Sequence, residues 1–370
     1  MIRLAWRNLT QNPARLLISL GGVSVALVLM LTLDAIFTGM EQRVTAFIDR
    51  SGADIFVSQQ DVRNMHMASS SLARGQQARV KSVAGVASVT PILYVTNPIL
   101  AGKDRSLAYI IGVPSDAKAG GPWEIESGRE DPGAGGVVLD VGVAAKAGIG
   151  LGGEVEILGD TFEVVGLSHG TASMAGSVAF ISLDDFADLW QDSDTVSFLL
   201  VETAPGEAPE QVAAGIEARV RDVTAMTRQE FARQERKVVR DMSTDILAIM
   251  NIVGFLIGLA VMALTVYTGT LSRRAEYGVL KALGARNGKL AATVVWQAVI
   301  SVSLGFLIAL ILTSLLTVAA PLASASLRLV IGLPSVAKVV VTSLVIAGVA
   351  SLLPIWQMAR LDPATVFRRR

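Results

Sequence analysis

The 370-residue chain has no cysteine. Disulfides, thiol nucleophiles and cysteine-based metal sites are therefore excluded, while the redox compartment stays open. A Walker A sequence is also missing, since Gly102-Lys103-Asp104 lacks the glycine frame that cradles phosphates, so the chain does not bind ATP by that motif. Ser168-His169-Gly170 sets a histidine beside a serine but belongs to no GxSxG elbow, which favours a loop histidine over a hydrolase base. Gly148-Ile149-Gly150-Leu151-Gly152-Gly153 spells GxGxxG, yet Glu154–Leu158 follows as an alternating strand pattern rather than a helix. A glycine turn fits that stretch better than a dinucleotide site.

Charge is the other absence, and it is local. Four long apolar runs, 16–38, 246–271, 290–320 and 337–358, hold between them only Asp34 and Lys338, the latter beside the start of the last run. Each is long enough to cross a hydrocarbon core of roughly 30 Å as a helix. They account for a hydrophobic fraction of 52% and a mean hydropathy of +0.53. The first run is longer than the apolar part of a usual signal peptide and lacks a small-x-small cleavage site, so it reads as a retained anchor. Asp34 lies nineteen residues beyond Arg15, which at ~1.5 Å per residue places it near the far interface. It is expected to be solvated there rather than to act inside the membrane. Gly254 and Gly258 have the GxxxG spacing of closely packed membrane helices, so helix dimerisation competes with ordinary glycine usage. Pro354 is expected to kink or end the last span.

The formal net charge of zero is a cancellation. Residues 40–245 carry 29 acids and 18 bases, net −11. The two termini and the 272–290 loop carry 12 bases against Glu276 and Asp362, net +10. Twelve bases on one side, against Arg328 and Lys338 on the other, place both termini in the cytoplasm. Residues 39–245 are then extracytoplasmic.

The expected fold is a four-helix membrane protein carrying an α+β extracytoplasmic domain on a helical stalk. Residues 1–15 read as a cytoplasmic interfacial helix with Trp6 at headgroup level. In the large domain, βα parts over about 50–105 and 190–227 flank a β-rich insertion over about 106–185. The strands expected are Ala53–Gln59, Val86–Val95 and Val196–Thr203, and the helices Leu72–Val83 and Pro209–Asp222. Residues 39–50 and 228–245 are expected to form the stalk, since 228–245 runs into the second span without a breaker, against the alternative of a helix lying on its own domain. Phe231, Val238, Met242 and Ile246 draw an apolar line along it, a candidate for substrate contact. Met65, His66 and Met67 are the one cluster with ligand character: thioether and imidazole suit copper or haem iron, but contiguous residues chelate poorly and methionines also serve greasy surfaces.

Between the second and third spans lies Ser272 to Lys289, with Arg273, Arg274, Lys281, Arg286 and Lys289 against Glu276. The run Arg273-Arg274-Ala275-Glu276-Tyr277-Gly278-Val279-Leu280-Lys281-Ala282-Leu283-Gly284-Ala285 resembles the most recognisable signature of the FtsX/MacB-like permeases of ABC transporters, the mechanotransmission type. Leu4–Leu9 with Arg15 and Gly21-Gly22-Val23, Ala147–Glu154 with Phe162–Gly166, and the tail Pro354 with Ala359-Arg360-Leu361-Asp362-Pro363 resemble other parts of the same family. Gln297 departs from it, standing where members often carry glutamate.

The resemblance implies a non-catalytic permease subunit of a bacterial inner membrane. It would bind no cofactor itself, with ATP and Mg held by a separate cytoplasmic ATPase present in two copies. A second permease, identical or related, would complete the assembly. An extracytoplasmic adaptor is an open partner, and no nucleic acid is expected. Residues 272–289 would be the coupling helix, with Arg273, Arg274, Glu276, Tyr277, Gly278, Leu280, Lys281, Leu283 and Gly284 as its contact residues. The function implied is export or extraction of a hydrophobic or amphipathic substrate: lipid, lipoprotein, drug, peptide or haem. The alternative is a signal relay to an external partner such as a cell-wall hydrolase, without transport.

Overall fold

The computed structural model describes residues 5–7, 11, 13–102, 104–171, 177–323 and 329–360. The chain divides into two units, Met1–Gly39 with Ser243–Arg370, and Met40–Met242. Most of the interfacial helix expected over 1–15, and the tail beyond Arg360, lie outside the described residues.

Helix α1 runs Pro13–Val44 and α2 Ala46–Arg50; then follow β1 (Ile55–Gln59), β2 (Leu72–Ala73), α3 (Gln76–Lys81), β3 (Val86–Ala101), β4 (Asp104–Val113), β5 (Ile125–Gly128) and β6 (Gly136–Asp140). Next come α4 (Val141–Ala147), β7 (Glu154–Ile157), β8 (Asp160–Ser168), β9 (Ser177–Ser182), α5 (Leu183–Trp190), β10 (Thr195–Val196), β11 (Phe198–Thr203), α6 (Pro209–Arg219) and β12 (Val223–Thr227). The chain continues as α7 (Arg228–Ser272), α8 (Arg274–Ala282), α9 (Asn287–Ala323) and α10 (Leu333–Ala359).

In the unit Met40–Met242, one sheet runs in the order β12-β1-β11-β3-β4-β9-β6-β8-β5, with β7 between β3 and β8. The β-rich stretch is thus tied to the βα parts by a shared strand. The first half of β3 pairs antiparallel with β11, and its second half pairs with β4 from Leu93↔Gly112 to Ala101↔Asp104. The strand expected over Val86–Val95 already holds Pro91, and Pro98 stands just beyond it, each without a ladder donor. Pairing with β4 nevertheless carries the strand through Pro98 to Ala101. The helix expected over Leu72–Val83 shortens to Gln76–Lys81, because Leu72–Ala73 pairs with β10 instead. Alternation along the strands sorts side chains into layers. Ile55, Val57, Leu199 and Val201 face Val80, Val212 and Ile216, whereas Phe56, Phe198 and Leu200 meet Phe47, Phe180 and Phe231. Phe56 stacks on Phe231 with centroids 4.8 Å apart and rings 8° from parallel. Gly148 ends α4 in the left-handed region at φ 67°, where a side chain would strain the backbone, so the glycine run is a helix stop before β7.

Among the described residues, four helices are long and apolar enough to cross a membrane, Leu16–Val44, Arg228–Ser272, Asn287–Ala320 and Leu333–Ala359. Their shared core contains Leu27, Met30, Met262, Val294, Val302 and Ile346. Small residues set the spacing. A Cβ on Gly254 would stand 2.8 Å from Met30 Cγ, and one on Gly258 would stand 3.1 Å from Ile346 Cδ1. The GxxxG pair therefore lets α7 approach α1 and α10 of its own chain, which corrects its reading as a dimer seam. Gly305 lies against Val23, and its carbonyl accepts from Ser24 Oγ at 3.1 Å. Pro354 is buried inside α10, which continues to Ala359 instead of ending there.

Asp34 is not solvated. It is 7% exposed, and Lys338 Nζ donates to both its carboxylate oxygens, at 3.1 and 3.2 Å. The expectation failed because the partner lies 304 positions away. An acid near the end of an apolar helix is satisfied by a cation on a neighbouring helix as readily as by water.

Candidate functional site

The segment after α7 breaks at Arg273, whose backbone leaves the helical region at φ −109°, ψ 16°, before α8 begins. At its far end the Gly284 N–H donates to the Lys281 carbonyl and the Ala285 N–H to that of Leu280, with Gly284 at φ 90°. This pair of bonds is the Schellman helix stop, and the left-handed position explains why glycine stands there.

The nine residues expected to act together divide between two faces. Tyr277 and Gly278 are buried, and Leu280 packs on the bundle core. Arg273 is 8% exposed; its Nη2 donates to Gln11 Oε1 at 2.6 Å, and Nη1 lies 3.6 Å from Glu276. Lys281 Nζ donates to the Met358 and Ala359 carbonyls at 3.3 and 3.0 Å. It thereby caps the C-terminus of α10, where unpaired carbonyls and the helix dipole favour a cation. These residues hold α8 to its own unit. Arg274, Glu276 and Gly284 are exposed, as are Val279 at 42% and Leu283 at 79%. Glu276, Val279 and Leu283 follow i, i+3, i+7 spacing and share one side of the helix. That side presents a short apolar ridge with an acid at its edge.

The apolar line on α7 also divides. Phe231 is fully buried and Val238 half-buried, while Met242 is 63% and Ile246 51% exposed. All four fall on one side of the helix, but sheet side chains cover only its first turns. Phe231 is therefore a core residue and cannot contact a substrate, which corrects its assignment. The same side holds a residue that sequence reasoning missed, Glu235, with no exposure at all. Its i+4 spacing from Phe231 was the available signal, an acid on an otherwise apolar face.

Glu235 organises the 62–71 loop. The backbone N–H of Met65 donates to Glu235 Oε1, as does that of His66 at 3.3 Å, and His66 Nδ1 lies 2.6 Å from Oε2. A buried carboxylate requires such donors. Met65, His66 and Met67 consequently diverge: Met65 is buried in the core, His66 is gripped by Glu235, and Met67 is 63% exposed. Among the described residues no group of three or more His, Cys, Asp or Glu side chains could hold a metal ion. His66 meets Tyr109 edge-on at 4.4 Å and Tyr94 at 6.1 Å. The Tyr94 hydroxyl is 3.2 Å from Thr96 Oγ1, and burial pushes its phenol well above the ordinary range, so it keeps its proton. On the same unit Arg240 makes two 3.1 Å bonds to Glu41, joining the two expected stalk segments.

Residues 16–219 match the MacB-like periplasmic core domain and residues 248–363 the FtsX-like permease C-terminal region. An uncharacterized ABC transporter permease of Methanocaldococcus jannaschii is 22% identical over 336 residues, covering 85% of this chain and 83% of that protein. Among solved structures, the periplasmic region of MacB from Actinobacillus actinomycetemcomitans aligns at 14% identity and TM-score 0.39, covering 50% of this chain and 94% of that one. The extracellular domain of the noncanonic ABC-type transporter YknZ from Gram-positive bacteria aligns at 15% identity and TM-score 0.36, covering 47% and 98%. With a periplasmic core domain and a permease domain each matched in sequence and in chain order, this protein belongs to the MacB/FtsX-type permeases of ABC transporters.

Proposed function

We propose that this permease relays ATP-driven motion of a separate cytoplasmic ATPase to its extracytoplasmic unit, and thereby exports or extracts a hydrophobic or amphipathic substrate. The observation that carries the reading is the division of α8. One face is bound into the membrane unit through Arg273, Tyr277 and Lys281, and the other offers Glu276, Val279 and Leu283 to a partner. A push on the exposed face reaches the N-terminal segment through Gln11 and the last span through the Met358 and Ala359 carbonyls.

The bias of twelve bases against two supports a cytoplasmic location for α8 and both termini. Arg274, Arg286 and Lys289 are exposed and would be drawn to the anionic inner leaflet, each by ~1 kcal/mol. Helix α7, Arg228–Ser272, would convey the motion. The assembly comprises two ATPase copies, which bind ATP and Mg, and two permeases, identical or related. An extracytoplasmic adaptor fits the same layout.

Purification of the tagged chain from its native bacterial inner membrane in mild detergent, followed by mass spectrometry, tests the reading. An ABC ATPase is the expected companion. Recovery of the intact permease with no ATPase would overturn it.

A further inference from the structure

A cavity of about 330 Å³ opens between the 65–70 loop, the middle of β3, the end of α5 and the start of β11. This is at the lower end of the range for small-molecule sites, roughly 300–1,000 Å³. Met67, Tyr94 and Trp190 supply its apolar surface, and His66, Thr96 and neighbouring serines its polar one, with the buried Phe198 behind them. Three observations indicate a ligand site. First, the polar anchor is built in: Glu235, without solvent exposure, occupies His66 Nδ1, which fixes the ring and leaves Nε2 as the nitrogen available to a ligand. Second, Trp190 is 41% exposed although its ring is braced edge-on by Phe186 at 4.9 Å. A rigid, half-open indole is a contact surface prepared at low entropic cost. Third, among the described residues no Lys, Arg, Asp or Glu lines the cavity. A charged headgroup would be desolvated there without a counter-ion, whereas a hydroxyl or amide can be matched by imidazole and hydroxyl groups.

We propose that this cavity binds an uncharged amphiphile, with its apolar body against Met67, Tyr94 and Trp190 and its hydroxyl or amide on His66. As the cargo site of an exporter it deepens the proposed function and rests on it; as a binding site it stands alone.

The test uses the full chain in lipid nanodiscs and a monodecanoylglycerol bearing a diazirine in its acyl chain, with labelled peptides mapped by mass spectrometry. Labelling concentrates on peptides spanning 62–71, 94–96 and 190–198, and diazirine analogues of decanoate and decyltrimethylammonium leave those peptides unlabelled. Loss of one aromatic wall or one hydrogen bond weakens binding by about ten-fold, so Trp190→Ala and His66→Gln each lower pocket labelling by about that factor. Trp190 is partly exposed, which keeps its variant informative if His66→Gln fails to fold. Labelling confined to the membrane helices, or undiminished in folded Trp190→Ala, overturns the site, and equal labelling by the charged analogues overturns the ligand class. Co-purification of an ATPase with no pocket labelling sinks the site alone. Pocket labelling in a chain that recruits no ATPase sinks the export reading alone.

Discussion

The two units satisfy buried acids in different ways. In the helical unit Asp34 depends on one lysine amine whose side chain is 45% exposed. In the sheet unit Glu235, fully buried, is held by two backbone N–H groups and an imidazole. The first arrangement joins two helices at a point, and water can replace the lysine at modest cost. The second fixes the path of a whole loop, because removing the carboxylate strands several donors at once. A lateral ion pair constrains its two helices at one point only, whereas a carboxylate-centred loop holds a stretch of backbone in place.

That contrast orders the effects expected from substitution. Glu235→Ala should cost about 3–5 kcal/mol, the penalty for breaking a fully buried polar pair. Thermal unfolding and limited proteolysis should show a less stable sheet unit with cleavage within 62–71. Asp34→Asn should cost less, about 1–2 kcal/mol, since the half-exposed Lys338 amine regains solvent. Equal losses for the two variants would erase the distinction. Gly254→Val falls in a similar range, about 1–3 kcal/mol, because a Cβ there meets Met30. It should lower the stability of the single chain, and a change confined to self-association would restore the dimer-seam reading. At the small end, Gly348→Ala, with no atom within 4 Å of the added carbon, and Leu283→Glu on the exposed face of α8 should each move stability by less than about 0.5 kcal/mol. Leu283→Glu should nevertheless uncouple ATP hydrolysis from the extracytoplasmic unit.

The sequence patterns that repeat locally were legible. Four apolar runs announced four long helices, and short apolar runs marked β1 and β11. Contacts closed over long separations were not legible. Asp34 reads as a solvated end-of-span acid until Lys338 is placed beside it, and Glu235 reads as one charge in a charged helix until the 62–71 loop wraps it. Phe231 and Met242 occupy the same side of α7, and only the extent of the sheet makes one core and the other surface. On α8, the resemblance marks nine candidates alike, and the division between them required the positions of Gln11 and the end of α10.

The absence of cysteine allows that division to be tested without background. Single cysteines at Leu283, Val279 and Tyr277 in the permease, each treated with a short bifunctional thiol-to-amine cross-linker in native membranes, sample both faces of α8. The account predicts ATPase adducts from Leu283→Cys and Val279→Cys, lost when ATPase subunits are stripped away, and none from the buried Tyr277→Cys. Cross-linking that is absent at position 283, or as strong at 277 as at 283, would contradict it.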